Sequence, residues 1–566
     1  MSTTLPGRAT AALSGILAAG VALGVGELAA APFDAAPSPV VAVGRVVIDV
    51  APRAVREEGI ETFGTADKPA LVLGTILVVL ALGALVGVRS RRAPAAAVIA
   101  FCAFGALGVI AASTDPTTSW PLAALVAGLA AFAGVATLRA LLRAAPAAKA
   151  TLQPAGDPGP ERPHGAGEAG PERPHGAGEA GPERPGEGGA DPERLGGAEP
   201  MGPDRPLARP VDLGRRRFVA LAVGAGSLAL AAGSVGRVLA RGGLSAAARA
   251  RTVLRRPGSP LPPAPTGLEA ATPGISPLFT PVDRFYRIDT ALVVPDVDVA
   301  SWRLGVSGMV DRPFSLSYDE LASLPQVEAD ITLCCVSNEV GGRLVGTARW
   351  QGVLLQDLLD RAGVRPGATQ LVGRAVDGFT VGFPTSVLAD GRQALVALGM
   401  GGEPLPLRHG FPARLVVPGL YGYVSATKWL QELELTTLDA FDAYWIPRGW
   451  AKQAPIKTSA RIDVPRLGPR LTAGRQAVAG VAWAPTRRID RVEVQVDDGP
   501  WAQAELGPEV SPDAWRQWVW TWDAAPGSYR LRVRATDGSG QQQDPEQRPP
   551  APDGATGLHQ VRVTVI

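Results

Sequence analysis

Four apolar runs crowd into the first 143 residues, and they limit most strongly what this chain can become. They cover about Ala11 to Ala31, Ala70 to Val88, Ala95 to Ala112 and Pro121 to Leu142. Each approaches the roughly 20 residues a helix needs to cross a bilayer. Four such helices in a soluble bundle would leave little polar surface to face water, so membrane spans are expected. The first run is not read as a cleaved signal peptide, because further spans follow it and Glu27 sits near its far end. Basic residues orient the set: Arg8 precedes the first span, Arg89, Arg91 and Arg92 separate the second from the third, and Arg139 and Arg143 close the fourth. All fall on one side if the N-terminus is cytoplasmic. The loops from about Pro32 to Lys68 and Thr114 to Ser119 then lie outside. Val40 to Val50 is apolar but too short to cross, which suits an interfacial or hairpin segment. No histidine precedes His164, so these spans lack the usual axial ligands of haem b. Anchoring, quinone contact and partner docking are the roles left to them.

Residues 144 to about 213 are Pro, Gly, Glu and Arg with few large apolar side chains. An eleven-residue unit beginning Gly159-Pro160-Glu161-Arg162-Pro163-His164 recurs from Gly170. Such a composition cannot offset chain entropy by burial, so a disordered linker is expected, with His164 and His175 incidental to it. Arg215-Arg216-Arg217-Phe218 then opens an apolar stretch to about Val235 that resembles a twin-arginine export signal and also reads as a fifth span. Either reading delivers the following residues to the outside, and Ala246-Ala247-Ala248 would permit cleavage nearby. A Pro-rich spacer fills about 250 to 280. The length of 566 residues suits two or three domains, and a net charge of +2 with no dominant basic face argues against nucleic-acid binding. Three cysteines, Cys102 and the adjacent Cys334 and Cys335, cannot build a disulfide framework.

Beyond the spacer, strand-like and helical pieces alternate irregularly. A strand is expected over Trp302 to Val306, a helix from Tyr318 to Leu324 and another from Leu354 to Ala362 with leucines at helical spacing. Between them Val327, Ala329, Ile331, Leu333 and Cys335 share one face of a strand that ends in the polar, Gly-rich turn Ser337-Asn338-Glu339-Val340-Gly341-Gly342. A soft thiolate on such a turn is a candidate metal ligand. The pattern predicts an α+β domain. From about Val478 short alternating strands separated by Asp-Gly and Pro-Gly turns predict an all-β immunoglobulin-like sandwich without its disulfide.

Three stretches stand out beyond about Phe285: Cys335-Val336-Ser337-Asn338, Thr347-Ala348-Arg349-Trp350, and the segment from Arg408-His409-Gly410-Phe411-Pro412 through Arg414 to Lys428-Trp429. Together they resemble the sulfite oxidase family of molybdopterin-dependent oxidoreductases. The resemblance implies a molybdenum-molybdopterin cofactor with Cys335 as the metal ligand, Cys334 being a packed side chain. It implies cofactor contacts from Tyr286, Arg287, Asp289, Asp377, His409, Arg414, Thr427 and Lys428, with Asp289 standing where the family often has His. The candidate catalytic set is Cys335, Arg287, Trp450 and Glu339. Sulfite oxidases follow their Cys turn with arginines that help bind sulfite. Glu339 and Val340 occupy those positions here, and Trp450 stands where those enzymes have a tyrosine.

The expected organisation is therefore a four-helix membrane domain (1–143), a linker (144–213), a signal-like fifth helix (214–240), a spacer (241–280), a molybdopterin-binding α+β domain (281–470) and an immunoglobulin-like domain (471–566). The expected protein is a multi-pass membrane protein with its catalytic domain extracytoplasmic. It would perform oxygen-atom transfer on a small substrate other than sulfite, or reduce an S- or N-oxide. The rival reading is a cofactor-free binding module on a membrane stalk. With no Cys-x-x-Cys-His site and no cysteine run for an iron-sulfur cluster, electrons are expected to pass to a separate carrier, a cytochrome or quinone. The C-terminal domain would serve a homodimer.

Overall fold

The computed structural model describes residues 7–33, 38–51, 62, 67–113, 118–145, 213–239, 243–466, 468 and 470–566. The expected linker, with His164 and His175, lies almost wholly outside the described residues. The described residues up to Arg251 are mostly helical: α1 (Arg8–Ala30), α2 (Pro39–Val50), α3 (Asp67–Ser90), α4 (Ala95–Ser113), α5 (Trp120–Ala144), α6 (Leu213–Leu239) and the short α7 (Gly243–Arg251). Five of these, α1, α3, α4, α5 and α6, are long and apolar enough to cross a membrane. The glycines of the sequence explain how they meet. A Cβ on Gly15 of α1 would sit 2.0 Å from the Gly83 carbonyl oxygen of α3, and one on Gly24 would sit 2.7 Å from that of Ala229 in α6. Small residues thus let backbones approach closely around α1, which packs against α3, α5 and α6. Leu73, Leu77, Leu85, Ile99, Ile110 and Phe132 are left on an apolar exterior.

The central region holds two sheets. One has the order β2-β1-β10-β5-β6, from β1 (Arg303–Gly308), β2 (Phe314–Ser317), β5 (Gln370–Ala375), β6 (Thr380–Pro384) and β10 (Leu430–Thr436), antiparallel except for the parallel pair β1 and β10. The other has the order β3-β4-β7-β8, from β3 (Val327–Cys334), β4 (Val345–Leu354), β7 (Leu395–Met400) and β8 (Glu403–Pro404), with β9 (Arg414–Val416) on β7. Helices α8 (Tyr318–Ser323) and α9 (Leu355–Ala362) lie where their patterns predict them. A capping box between Ser317 and Glu320 starts α8, and Gly363 at φ 69° ends α9.

Strand β3 is buried along nearly its whole length and divides two cores. Ala329, Ile331 and Leu333 share a core with Phe285, Trp350 and Phe411, whereas Cys334 and Val336 join the larger core with Tyr421 and Val424. On the other face Asp330 lies opposite Arg349, whose Nε and Nη2 donate to its two oxygens at 2.8 and 2.9 Å and fix the register.

The C-terminal region is all-β. It comprises β11 (Ser459–Val464), β12 (Arg470–Leu471), β13 (Gly474–Trp483), β14 (Ile489–Val496), β15 (Trp501–Gln503), β16 (Glu505–Leu506), β17 (Arg516–Ala524), β18 (Gly527–Asp537) and β19 (Gln560–Val565). These form sheets of order β11-β13-β17-β16 and β12-β19-β18-β14-β15, which share a core that includes Trp518, Val492, Leu531 and Val561. Strand β11, which pairs with β13, belongs to this region although its Arg461 and Asp463 mask the apolar alternation. The region also covers the free edge of β3. The Thr332 N–H donates to the Asp513 carbonyl at 2.9 Å, the Trp515 N–H donates to Thr332 Oγ1 at 2.6 Å, and Trp515 Nε1 donates to the Leu278 carbonyl at 2.8 Å. An edge that would otherwise present unpaired backbone groups is thereby closed.

Candidate active site

The chain turns sharply after β3, and backbone hydrogen bonds define the turn. The Cys335 N–H donates to the Leu344 carbonyl at 2.9 Å and the Asn338 N–H to the Cys335 carbonyl at 3.0 Å. The buried Asn338 carboxamide accepts from the Leu344 N–H at 2.7 Å and closes the loop. Gly341 has φ 80°, and a Cβ there would lie 2.1 Å from the His559 ring, so only glycine fits. Arg461 Nη1 donates to the Gly342 carbonyl at 2.6 Å, and His559 Nδ1 accepts from the Ile462 N–H at 3.0 Å. The C-terminal region thus holds the Cys turn from outside. The two thiols are buried in different settings. Cys334 points into the larger core, while Cys335 follows the strand face of Leu333 and feels the charge of Lys428. Burial raises the Cys335 thiol, although hydrogen bonds with Ser337 and the Lys428 charge oppose it. It stays protonated near neutral pH, so a metal ion that binds it must displace that proton.

Residues 409–415 run beside 427–430. The Leu415 N–H donates to the Thr427 carbonyl at 2.9 Å, the Leu430 N–H to Ala413 at 2.9 Å and the Trp429 N–H to Gly410 at 3.2 Å. Gly410 has φ 112°, and a Cβ there would lie 2.9 Å from Lys428 Cα. Trp429 adopts φ 51°, an uncommon left-handed conformation for a bulky residue, next to Lys428. His409, Arg414, Thr427 and Lys428 are thereby gathered and buried. The Arg414 guanidinium stands 5.1 Å from the Trp350 ring centre, and Phe285 meets His409 edge-on at 5.9 Å with Tyr286 stacked on it at 5.3 Å. Both ring nitrogens of His409, Nε of Arg414 and Oγ1 of Thr427 are buried without a hydrogen-bond partner. Buried polar groups are normally satisfied, so a cluster of orphans points to a missing polar ligand.

Beside this cluster the carboxylate of Asp289 holds three cations. Arg287 Nε donates to Oδ2 at 2.7 Å, Lys428 Nζ to Oδ2 at 2.9 Å and Lys68 Nζ, from the first turn of α3, to Oδ1 at 2.7 Å. Burial pushes the carboxyl up, but Lys428, Lys68 and Arg287 together hold it well below the usual carboxylate range. Asp377 sits in the turn after β5, where its side chain accepts from the Phe379 N–H at 3.2 Å. The Val376 N–H donates to the Trp429 carbonyl at 2.9 Å and sets that turn beside Lys428. Trp450 lies 6.5 Å from Trp445 and 5.7 Å from Tyr423, in an aromatic group on the edge of the larger core. Glu339 is exposed on the Cys turn. Lys68, Arg461 and His559 are the site residues that sequence reasoning missed. Each acts across more than a hundred residues of chain, and a lysine bounding an apolar run was the one visible sign among them.

Comparison with known proteins places this geometry in a class. Residues 291–445 match the oxidoreductase molybdopterin-binding domain family. Rat mitochondrial sulfite oxidase is 31% identical over 274 residues, covering 40% of this chain and 50% of that protein. An uncharacterized oxidoreductase of Bacillus subtilis is 35% identical over 154 residues, 27% of this chain and 74% of that protein. The sulfane dehydrogenase SoxCD of Paracoccus pantotrophus aligns over 50% of this chain and 81% of its own with a TM-score of 0.44 and 24% identity. The chain is thus an oxidoreductase with a molybdopterin-binding domain. It belongs to the sulfite oxidase family, while spanning about half the length of the rat enzyme.

The family implies a molybdenum cofactor, and the residues present fit one: a thiol on a turn beside buried donors that lack partners suits a metal carried by an anionic organic group. Among the described residues there is no group of three or more His, Cys, Asp or Glu that could hold a metal ion.

The pocket's charge yields a pH prediction. Burial, reinforced by Arg414 and Lys428, lowers the His409 imidazole from 6.5 to about 3. Between those values the unfolded chain binds a proton that the folded chain refuses, so folded stability falls as pH drops through this window. Cofactor-free wild-type protein should therefore lose thermal stability between about pH 6 and 4 more steeply than His409→Gln. Parallel curves for the two proteins would contradict a neutral, buried His409.

Proposed function

We propose that this chain is a membrane-tethered molybdenum oxidoreductase that transfers an oxygen atom to or from a small substrate other than sulfite, outside the cytoplasm. The observation that carries the reading is the set of unpartnered buried donors on His409, Arg414 and Thr427 close to Lys428 and the Cys335 turn. When bound, the cofactor supplies two-electron oxygen-atom chemistry. Cys335 supplies a thiolate ligand. His409, Arg414, Thr427 and Lys428 bind the anionic pterin group, Tyr286 and Asp377 flank it, and Arg287 and Asp289 act as one ion pair beside it. Asn338, Arg461 and His559 hold the Cys turn so that the thiol keeps a fixed place when its proton leaves.

The tether is inferred from five helices of spanning length. The arginine distribution puts the start of α3 outside, and Lys68 there reaches the central domain, which supports an extracytoplasmic site. Arg215-Arg216-Arg217 at the start of α6 suits a twin-arginine-like flank. The C-terminal region suits an immunoglobulin-like sandwich in a homodimer, and a separate cytochrome or quinone completes the electron path.

Substrate preference follows from charge. Sulfite offers little apolar area, so cationic donors must bind it. The family's arginine position carries Glu339, and Arg287 is already engaged by Asp289. Replacing an attraction by a repulsion of even a few kcal/mol is on the order of a hundredfold in affinity. The group Trp450, Trp445 and Tyr423 favours an organic thioether or its S-oxide instead.

Two measurements test this. Cys335→Ser should leave a folded protein with turnover reduced by at least about a hundredfold, while Cys334→Ala, a core change, should keep most of it. Equal loss in both would refute the ligand assignment. In steady-state kinetics with an artificial electron carrier, organic sulfur compounds should be preferred. Efficient sulfite turnover at micromolar half-saturation would overturn the substrate reading.

A further inference from the structure

The contact between α3 and the cofactor domain is not explained by the stability of either part. Lys68 occupies the first turn of α3, where a cation opposes the helix dipole, so its position does nothing for the helix that carries it. Its ammonium instead makes three hydrogen bonds 221 to 223 residues away: to Asp289 Oδ1 at 2.7 Å, to the Asp289 carbonyl at 2.6 Å and to the Ala291 carbonyl at 2.8 Å. A second contact supports the first. In α2 a Cβ on Gly44 would lie 3.0 Å from Leu292 Cδ1, so two helical segments meet the same short stretch of the central domain.

Charge says what this contact is for. Lys68, Lys428 and Arg287 surround one carboxylate, whose side chain is 7% exposed, and Arg414 adds a buried guanidinium without an ion-pair partner among the described residues. A cluster holding more cations than anions in a poorly solvated place is costly until an anion enters. A phosphate monoester, with two charges and several acceptor oxygens, matches that excess.

We propose that Lys68 is a positioning residue of the cofactor pocket: the N-terminal helices dock on the central domain through α2 and α3, and Lys68, its three donors all given to Asp289 and Ala291, fixes the carboxylate that aligns Lys428 and Arg287 in the cationic cluster that retains the anionic end of the cofactor. The inference rests on the molybdopterin reading above. It gives the helical region a second role besides anchoring, because separating it from the central domain removes one cation from the cluster and opens the pocket.

The test uses the full chain in its membrane and reads pterin retention and physical linkage rather than turnover. Pterin released over time from washed membranes is followed by fluorescence for wild type, Lys68→Met and Lys68→Arg. Loss of one charge-assisted contact should speed release about tenfold in Lys68→Met, with Lys68→Arg within about twofold of wild type. In parallel, Lys68→Cys with Leu292→Cys, a partly exposed neighbour of the Ala291 carbonyl, in a Cys102→Ser background is treated with a short bis-maleimide, and the chain is cut at a protease site inserted within residues 146–212. The two fragments should stay joined on a denaturing gel. Equal release from Lys68→Met and wild type, or fragments that separate after treatment, would overturn the proposal. Wild-type protein devoid of pterin would instead remove the reading beneath it, a result distinct from both, while the linkage still reports whether the helices dock.

Discussion

Buried polar atoms without partners, both ring nitrogens of His409, Nε of Arg414 and Oγ1 of Thr427, place a standing demand on the rest of the molecule. A buried donor or acceptor that lacks its hydrogen bond costs on the order of 1–3 kcal/mol, more when charged. A fold tolerates several in one place only where the surrounding contacts over-determine it. Here the paired segments 409–415 and 427–430 do so, with Trp350 under the guanidinium and Gly410 allowing Lys428 to approach. The pocket is therefore preorganised for an anion, and its energetic deficit is made good when that anion binds.

The thiol is presented to this pocket by a scaffold drawn from distant parts of the chain. Strand β3 carries it, β4 fixes the register through Asp330 and Arg349, and the C-terminal region closes both the strand edge and the turn. Disturbing the all-β region should therefore be felt at Cys335, whose turn Arg461 and His559 hold. The helical region meets the pocket from the opposite direction through Lys68 and Asp289. Asp289 links the parts, since one carboxylate joins α3, the segment around Arg287 and Lys428.

Much of this was legible in the sequence, and the reasons are physical. The apolar runs show because spanning length demands about 20 mostly apolar residues, and five helices among the described residues meet the requirement. Ala329, Ile331 and Leu333 showed β3 because the polar Glu328, Asp330 and Thr332 alternate with them, although Asp330 and Thr332 are themselves buried and bonded to Arg349 and Trp515. His409, Arg414, Thr427 and Lys428 lie within 20 residues of each other, so a local motif could carry them. What was hidden acts at long range. Lys68 to Asp289, Arg461 to Gly342 and Trp515 to Thr332 span 221, 119 and 183 residues and leave no periodic trace. Strand β11 was hidden for another reason: its charged residues are satisfied by partners that only the fold supplies, Arg461 by Asp463, Gly342 and Ser276.

The central claim is that the unpartnered donors and the Cys335 turn together form a molybdopterin site. It is tested most directly by molybdenum and pterin analysis of the full-length chain purified from a host that makes the cofactor. The account expects about one molybdenum and one pterin per chain, with unfolding of the loaded protein shifted to higher temperature than that of the cofactor-free form. A folded chain from that host that contains neither metal nor pterin would contradict it.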